Sequence, residues 1–528
     1  MTQEPLLASN LVDLARQYTK WAHEVRTPEE IPLVLQRAFK EAMAPPNGPV
    51  FVSIPWEFTM RSIEVDDRIQ GITQISPHFT GDPCAIEQAA SLLAQAKNPI
   101  IIAGDAVGYA NAWSELQELA ELLGAPVLLQ TFSSVANFPN NDYHWQGELP
   151  GKQEDIQNLF KDHDVAFLCG FGCQAQVTVF KYSVGPLIPP TVRQVYLTNN
   201  TWDIGKNYYG ETAVFGDIKT TLPLINNLVC QNRPAEAAER NKLLRSLDDE
   251  RCKKWHNYLE QARNQNEIWA VVIAEALREA IQERHLEKQF VYVHEAVSDP
   301  APFQYLLPLG TDGAAPISYY CVAGGSLGWS MPASLGIKLE SSGWQGIETR
   351  LVVNVVGDGS SLFYPQTWWT AAHRQLGILY IITNNHEYHT LQLGLQQVVA
   401  AYGSEQGYGW KPKTDDPDYL RLERPNVDFV ALAKAFGGQE GKIVENPKDV
   451  KIAIQRGIDY VLTKKQSYIL DMRTAKDTPP PTAPSTEAAR KRMLARYIAQ
   501  PPLNFFHHQA ANGQTSPPSG IVNVPLIS

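Results

Sequence analysis

Two short, almost continuously apolar runs, Val352 to Val356 and Ile378 to Ile382, are separated by a helix-length segment that carries Trp368 and Trp369. Runs of this length bounded by turn residues read as strands buried on both faces of a parallel sheet, and the segment between them completes a β-α-β unit. A right-handed crossover puts the turns after both strands at one sheet edge, where Asp358 and Asn385 converge. The same kind of run recurs at Pro99 to Gly104, Pro126 to Gln130, Val165 to Gly170, Gln194 to Leu197 and Phe290 to Val293. Amphipathic stretches such as Ser114 to Leu123 and Ala270 to Ala280 lie between or beside these runs and predict helices.

The first sixty residues follow another pattern. Thr27-Pro28-Glu29-Glu30 reads as a capping box with proline at the first helical position, and Ile31, Leu35, Ala38 and Phe39 then recur at helical spacing. Pro45-Pro46-Asn47-Gly48 stops that helix, and Pro49 to Pro55 reads as a short buried strand. One helix and one strand cannot bury a core, so this looks like the end of an α/β domain. Residues 230–268 are charged and helical, as a linker would be. Beyond Lys476, Thr478 to Pro484 is proline-rich, Thr486 to Ala499 has the pattern of a short basic helix, and Pro517 to Ser528 has no periodicity, so a disordered tail or an arm onto a neighbouring subunit is expected. The expected segments are therefore 1–60, 80–228, 229–264, 265–475 and 476–528.

Composition narrows the class. A chain of 528 residues, 44% hydrophobic and 19% charged, suggests about three or four globular domains. A formal charge of −11 disfavours nucleic acid and anionic membrane surfaces as partners. Six cysteines, at 84, 169, 173, 230, 252 and 321, lack zinc spacing and are too few for a disulfide framework. A reducing cytoplasm is the expected location, because Met1 to Pro5 begins no signal or transit peptide and no apolar run reaches membrane-spanning length.

The chemistry gathers at the two turns. A carboxylate and an amide carbonyl are hard oxygen ligands, and Mg²⁺ takes a few of these from protein while phosphates and water complete its octahedron. Gly357 and Gly359 would let the backbone approach a diphosphate, and Ser360 offers a hydroxyl at the start of the following helix, where anions are favoured. A plain hydrophilic turn is the bland alternative. A dinucleotide-binding fold is the sharper rival, weakened because no strand opens into Gly-x-Gly-x-x-Gly with an acid about 20 residues on.

Gly357-Asp358-Gly359-Ser360 followed by Asn384-Asn385 resembles the diphosphate and magnesium motif of thiamine diphosphate-dependent enzymes, in particular the benzoylformate decarboxylase and acetolactate synthase group. The resemblance implies an α/β fold of consecutive doubly wound parallel-sheet domains, the first of them incomplete. It implies thiamine diphosphate and Mg²⁺ as cofactors and a small 2-oxo acid as substrate. Loss of carbon dioxide would be followed by protonation or by carboligation to a second carbonyl. Asp358, Asn385 and the backbone carbonyl of Glu387 would hold the metal; in the family the asparagines are usually followed by glycine and a small or hydroxylic residue, where this chain has His386 and Glu387. Ser298, Gly357, Asp358, Gly359, Ser360, Asn385 and Tyr388 would contact the cofactor, with Gly325 and Leu327 holding and propping its aminopyrimidine. The helix after Tyr388 lacks the bulky aromatics that border an aromatic substrate in the family.

Two features depart from the group. Tyr18 to Pro55 resembles the last third of its pyrimidine-binding domain, and no residue here matches the family's pyrimidine-contacting glutamate. In the loop from Thr131 to Pro150, where related decarboxylases place an active-site histidine, Asp142 takes that place, with His144 two residues on and expected to be structural. The expectation is a lyase or acetolactate synthase-type transferase whose single chain is inactive, acting as a homo-oligomer or with a chain that supplies the missing domain. The alternative is a non-catalytic thiamine diphosphate-binding subunit. Gly104-Asp105 reads as a structural turn, and Asp428 to Gly437 as a packing helix.

Overall fold

The computed structural model describes residues 8–64, 75–172, 180–309, 318–341, 350–406, 418–476 and 478. All of these lie in the compact unit 1–483. The remainder of the proline-rich end, the basic helix expected after it and Cys173 fall outside the described residues.

Strands β1 (Trp21–Glu24) and β2 (Val50–Ser53) pair in parallel, Trp21 opposite Val50. A tight turn of 3-10 helix, Pro28–Glu30, precedes the α-helix Ile31–Met43 between them. The expected capping box does not form in full: Thr27 makes no side-chain cap, and Glu30 instead accepts the Arg26 N–H at 3.1 Å. The expected buried face is also displaced. Val34 and Ala38 are buried, whereas Leu35 and Phe39 are exposed, because two strands are too narrow to cover a helix face.

The second sheet holds β3 (Pro99–Ala103), β4 (Val127–Leu129), β5 (Trp145–Glu148), β6 (Val165–Cys169), β7 (Arg193–Thr198) and β8 (Thr212–Phe215). Its order is β5-β4-β3-β6-β7-β8, with every ladder parallel. Relabelled from its own first strand this is 3-2-1-4-5-6, the doubly wound order of dinucleotide-binding folds. At its switch point, between β3 and β6, the chains close on each other: a Cβ on Gly104 would lie 2.1 Å from the Gly170 carbonyl oxygen.

A helix of 27 residues, Ala237–Arg263, connects this sheet to the next. The third sheet holds β9 (Phe290–Glu295), β10 (Tyr319–Cys321), β11 (Leu351–Gly357), β12 (Ile378–Asn384), β13 (Glu440–Val444) and β14 (Tyr468–Arg473), in the parallel order β10-β9-β11-β12-β14-β13. Alternate residues face opposite cores. Val353 and Val355 pack in the cluster that holds the helices Ala270–Glu283 and Val450–Lys464, while Val352 and Val356 pack with Met331, Trp368 and Phe429. Burial on both faces is what makes these strands read as unbroken apolar runs. The chain order reverses between β9 and β11, and ligands of open α/β sheets bind outside the carboxyl ends at such a reversal. Among the described residues no helix is long and apolar enough to cross a membrane.

Candidate functional site

At that reversal β11 ends in Gly357 and Asp358 opens a single helical turn, Asp358–Ser361. Asp358 Oδ1 accepts the Gly359 N–H at 2.8 Å, and Oδ2 accepts the His386 N–H at 2.7 Å from the turn after β12. Asn384, the last residue of β12, donates to Asp471 Oδ1 at 2.8 Å and accepts the His386 N–H at 3.2 Å. Asn385 Oδ1 accepts the Glu387 N–H at 3.1 Å. The Glu387 carboxylate turns toward His389 Nδ1 at 2.8 Å and Gln392 Nε2 at 3.4 Å. Backbone bonds on either side fix the turn, with Leu422 N–H donating to the His386 carbonyl at 2.7 Å and Tyr388 N–H to the Leu420 carbonyl at 2.8 Å.

The turn carries strain at one residue. His386 has φ +63°, the left-handed region that favours glycine. Arg473 NH1 approaches the His386 Nε2 at 3.1 Å.

Asp358 is 3% exposed, and burial pushes its carboxyl up to about 7. The groups that act on it are backbone amides of Gly359, His386 and Glu387, which lower the pKa, and the Asp471 carboxylate, which raises it. A carboxylate buried this deeply ionises readily when a cation reaches it. The donor set therefore fits Mg²⁺: one carboxylate, an amide oxygen and a backbone carbonyl, with other positions left to phosphate and water. Among the described residues no group of three or more His, Cys, Asp and Glu is placed to hold a metal, and this kind of site needs none.

The flanking glycines differ in kind. A Cβ on Gly359 would lie 2.3 Å from Cε1 of Tyr388, whose ring covers that position. Gly357 has φ −68° and ψ 152°, open to any residue, and its Cβ would meet nothing nearer than Ser360 Oγ at 3.7 Å. A Cβ there would make only ordinary contacts, so packing does not require glycine, which fits a position kept bare for close approach of a diphosphate. The helix-terminus attraction expected at Ser360 is smaller than the sequence suggests. The helical turn is four residues long, and the next helix starts at Thr367 after Pro365.

Other expected residues border this edge. Ser298 is exposed after β9 and its Oγ accepts from Thr390 Oγ1 at 3.4 Å. Gly325 has φ +69° and is exposed, and Leu327 is half-buried. Gly328 ties this segment down: a Cβ there would lie 2.6 Å from Phe363 Cβ and 3.1 Å from the Ser360 carbonyl. Sequence reasoning missed Glu295, which ends β9 1% exposed and accepts the Gly328 N–H at 2.5 Å and the Ser330 N–H at 2.8 Å. The signal was an acidic residue closing an otherwise apolar strand. Asp471, inside β14 and pushed up to about 6 by burial, was missed as well.

In the loop where related decarboxylases place an active-site histidine, Asp142 and His144 are bonded to each other and to neighbouring helices. His144 is 1% exposed, with Nδ1 against Asp142 Oδ1 at 2.7 Å and Nε2 against Asn241 Oδ1 at 3.0 Å. Gln117 Nε2 donates to the other Asp142 oxygen at 2.9 Å. His144 is thus a bonded core histidine.

Comparison with known proteins shows what two regions of the chain are similar to. Residues 86–225 match the thiamine pyrophosphate enzyme central domain, and residues 314–472 match the thiamine pyrophosphate enzyme C-terminal TPP binding domain. Two regions of the chain thus carry the central and the C-terminal TPP binding domain of such enzymes, and the chain's relatives include a benzoylformate decarboxylase and acetolactate synthases. Benzoylformate decarboxylase of Pseudomonas aeruginosa is 25% identical over 80% of this chain and 71% of that protein. Acetolactate synthase isozyme 3 large subunit of Escherichia coli is 24% identical over 87% and 74%. The crystal structure of benzoylformate decarboxylase from Polynucleobacter necessarius shares the fold, with a TM-score of 0.72 at 24% identity over 90% of this chain and 80% of that one.

Proposed function

We propose that this chain binds thiamine diphosphate with Mg²⁺ at the end of β11 and contributes it to the decarboxylation or carboligation of a 2-oxo acid. The observation that carries the reading is the buried Asp358 carboxylate at the chain reversal between β9 and β11, preceded by a Gly357 that packing does not require to be glycine. In this reading Asp358 and Asn385 hold the metal through their side chains and Glu387 through its carbonyl. Gly357, Gly359, Ser360, Ser298 and Tyr388 border the diphosphate, and Gly325 and Leu327 receive the aminopyrimidine. When bound, thiamine diphosphate supplies the nucleophilic carbon and electron sink that let a 2-oxo acid lose carbon dioxide. The chain's own part is to bind, orient and shield. The names of its relatives support the 2-oxo acid class.

We also propose that the isolated chain turns over poorly. Asp142 and His144 are engaged with each other, Gln117 and Asn241, so neither is free to move a proton at a substrate. The exposed Leu33, Phe39, Met43, Trp56 and Met60 support coverage of the β1–β2 segment by another polypeptide, a second copy or a chain with the pyrimidine-binding role.

Calorimetric titration with thiamine diphosphate, with and without Mg²⁺, tests the binding. Magnesium-dependent binding that Asp358→Asn abolishes is expected; equal binding by that variant sinks the reading. Carbon dioxide release from pyruvate and benzoylformate then separates an enzyme from a binding subunit.

A further inference from the structure

The turn Gly104-Asp105, superficially like the one at 358, has a use of its own. Asp105 opens the short helix Asp105–Tyr109 after β3, and its carboxylate faces the loop at 131–137. Oδ1 accepts the Ser134 N–H at 2.9 Å and Asn137 Nδ2 at 3.0 Å, while Oδ2 accepts the Ser134 hydroxyl at 2.5 Å. Asn137 also donates to Ser133 Oγ at 3.0 Å, and Trp113 Nε1 to the Ala136 carbonyl at 2.7 Å. The fit is close: a Cβ on Gly108 would lie 2.6 Å from Val135 Cγ2 and 2.7 Å from the Ala136 oxygen.

The far side of the same loop is bonded to the other sheet. Cys321 N–H donates to the Ser134 carbonyl at 3.0 Å, and Val135 bridges Tyr320 in antiparallel fashion. Both partners belong to β10, and Cys321 stands directly before the turn that carries Gly325, whose N–H donates to the Val322 carbonyl at 3.2 Å. Glu148, at the end of β5, supports the loop from a second direction, with the Phe132 and Ser133 amides against its carboxylate and Gln304 Nε2 on Oε1 at 3.0 Å.

We propose that Asp105 is a positioning residue for the 325–327 cradle, acting through Ser134 and Cys321, so that the central sheet sets the affinity for the cofactor. This rests on reading 325–327 as the aminopyrimidine cradle. Partners bonded directly to a metal's ligands typically change affinity by about 10- to 100-fold when lost, and Asp105 acts through two further residues, so about tenfold is the upper end of its effect. Asn at 105 keeps an acceptor for the Ser134 N–H, whereas Ala keeps none.

The experiment compares Asp105→Ala, Asp105→Asn and Ser134→Ala with Asp82→Ala, which removes a helix cap on the Ala85 N–H far along the chain. Two readouts are taken on the full chain: the dissociation constant for thiamine diphosphate with Mg²⁺, and hydrogen exchange over 319–328 without cofactor. The expected result is binding weaker by up to about tenfold and faster exchange at Cys321 for D105A, a smaller effect for S134A, and rescue by D105N. D82A lowers the melting temperature and moves neither readout. Wild-type affinity and exchange in D105A, or the same shifts in D82A, overturn the proposal. If the wild-type chain binds no thiamine diphosphate, the proposed function fails, and unchanged exchange over 319–328 in D105A then overturns the positioning role by itself.

Discussion

Asp358 Oδ2 and the backbone N–H of His386 meet at 2.7 Å across 28 residues of sequence, joining the turns after β11 and β12 into one structure. Because the bond uses the main chain of 386, the side chain there is free to vary within what its backbone conformation allows.

That conformation sets the first prediction. At φ +63° a Cβ is strained, and such strain costs about 1–3 kcal/mol, offset by the entropy a glycine loses on folding. His386→Gly is expected to leave stability unchanged or raise it by about 1 kcal/mol, whereas His386→Ala, which keeps the strain and loses the ring, lowers it. Urea unfolding of the two variants gives the order, and the reverse order contradicts the account.

Asp358→Asn keeps the shape of the carboxylate but has one acceptor oxygen where Asp358 uses two, on the Gly359 and His386 N–H groups. Without cofactor the variant is expected to melt lower, roughly 2–4 °C for each kcal/mol lost with that bond, and Mg²⁺-dependent binding of thiamine diphosphate is lost as well. A differential scan with and without Mg²⁺ and thiamine diphosphate shows both effects in one experiment.

Gly357→Ala and Gly359→Ala separate what the ligand requires from what the fold requires. At 359 the new methyl meets the Tyr388 ring at 2.3 Å, so stability and binding both fall. At 357 the nearest atom is 3.7 Å away, so the fold tolerates alanine. Cofactor binding by Gly357→Ala is expected to weaken by about tenfold or more through the lost close approach. Full binding by that variant contradicts the diphosphate assignment.

Glu148 predicts a pH dependence. Burial raises its carboxyl from 4.5 to about 7, so between these values the unfolded chain holds fewer protons than the folded one. Its contribution to stability is complete below pH 4.5 and is lost as pH rises through about 7. Part of the residue is exposed, which holds the effect to on the order of 1–2 kcal/mol. Glu148→Gln should flatten that decline, as measured by denaturant midpoints from pH 5 to 8. A decline as steep as wild type assigns it to other groups.

The buried strands were legible because each is covered on both faces: Pro99–Ala103, Val165–Cys169, Leu351–Gly357 and Ile378–Asn384 all appear as apolar runs. Edge strands were not. In Trp145–Glu148 and Glu440–Val444 polar residues are interspersed because one side faces solvent, and Tyr319–Cys321 is too short to show a period. At the site, the convergence of the turns at Asp358 and Asn385 was legible because each turn follows an apolar strand and a right-handed crossover puts both at one sheet edge. The bonds of Glu295 to Gly328 and of Asp105 to Ser134 were not, since each joins residues about 30 apart whose pairing depends on how the elements pack. Leu35 and Phe39 show the converse, a clear helical period whose covering surface the chain's own two strands do not supply.

The contrast between Gly357 and Gly359 extends to descent. Tyr388 keeps glycine at 359 in any descendant that retains this turn, whether or not it binds a cofactor. Packing tolerates a methyl at 357, so under the proposed function a lineage released from holding a diphosphate would be free to fill that position with alanine or serine. Under that reading residue 357 would report loss of the ligand, with residue 359 as the reference.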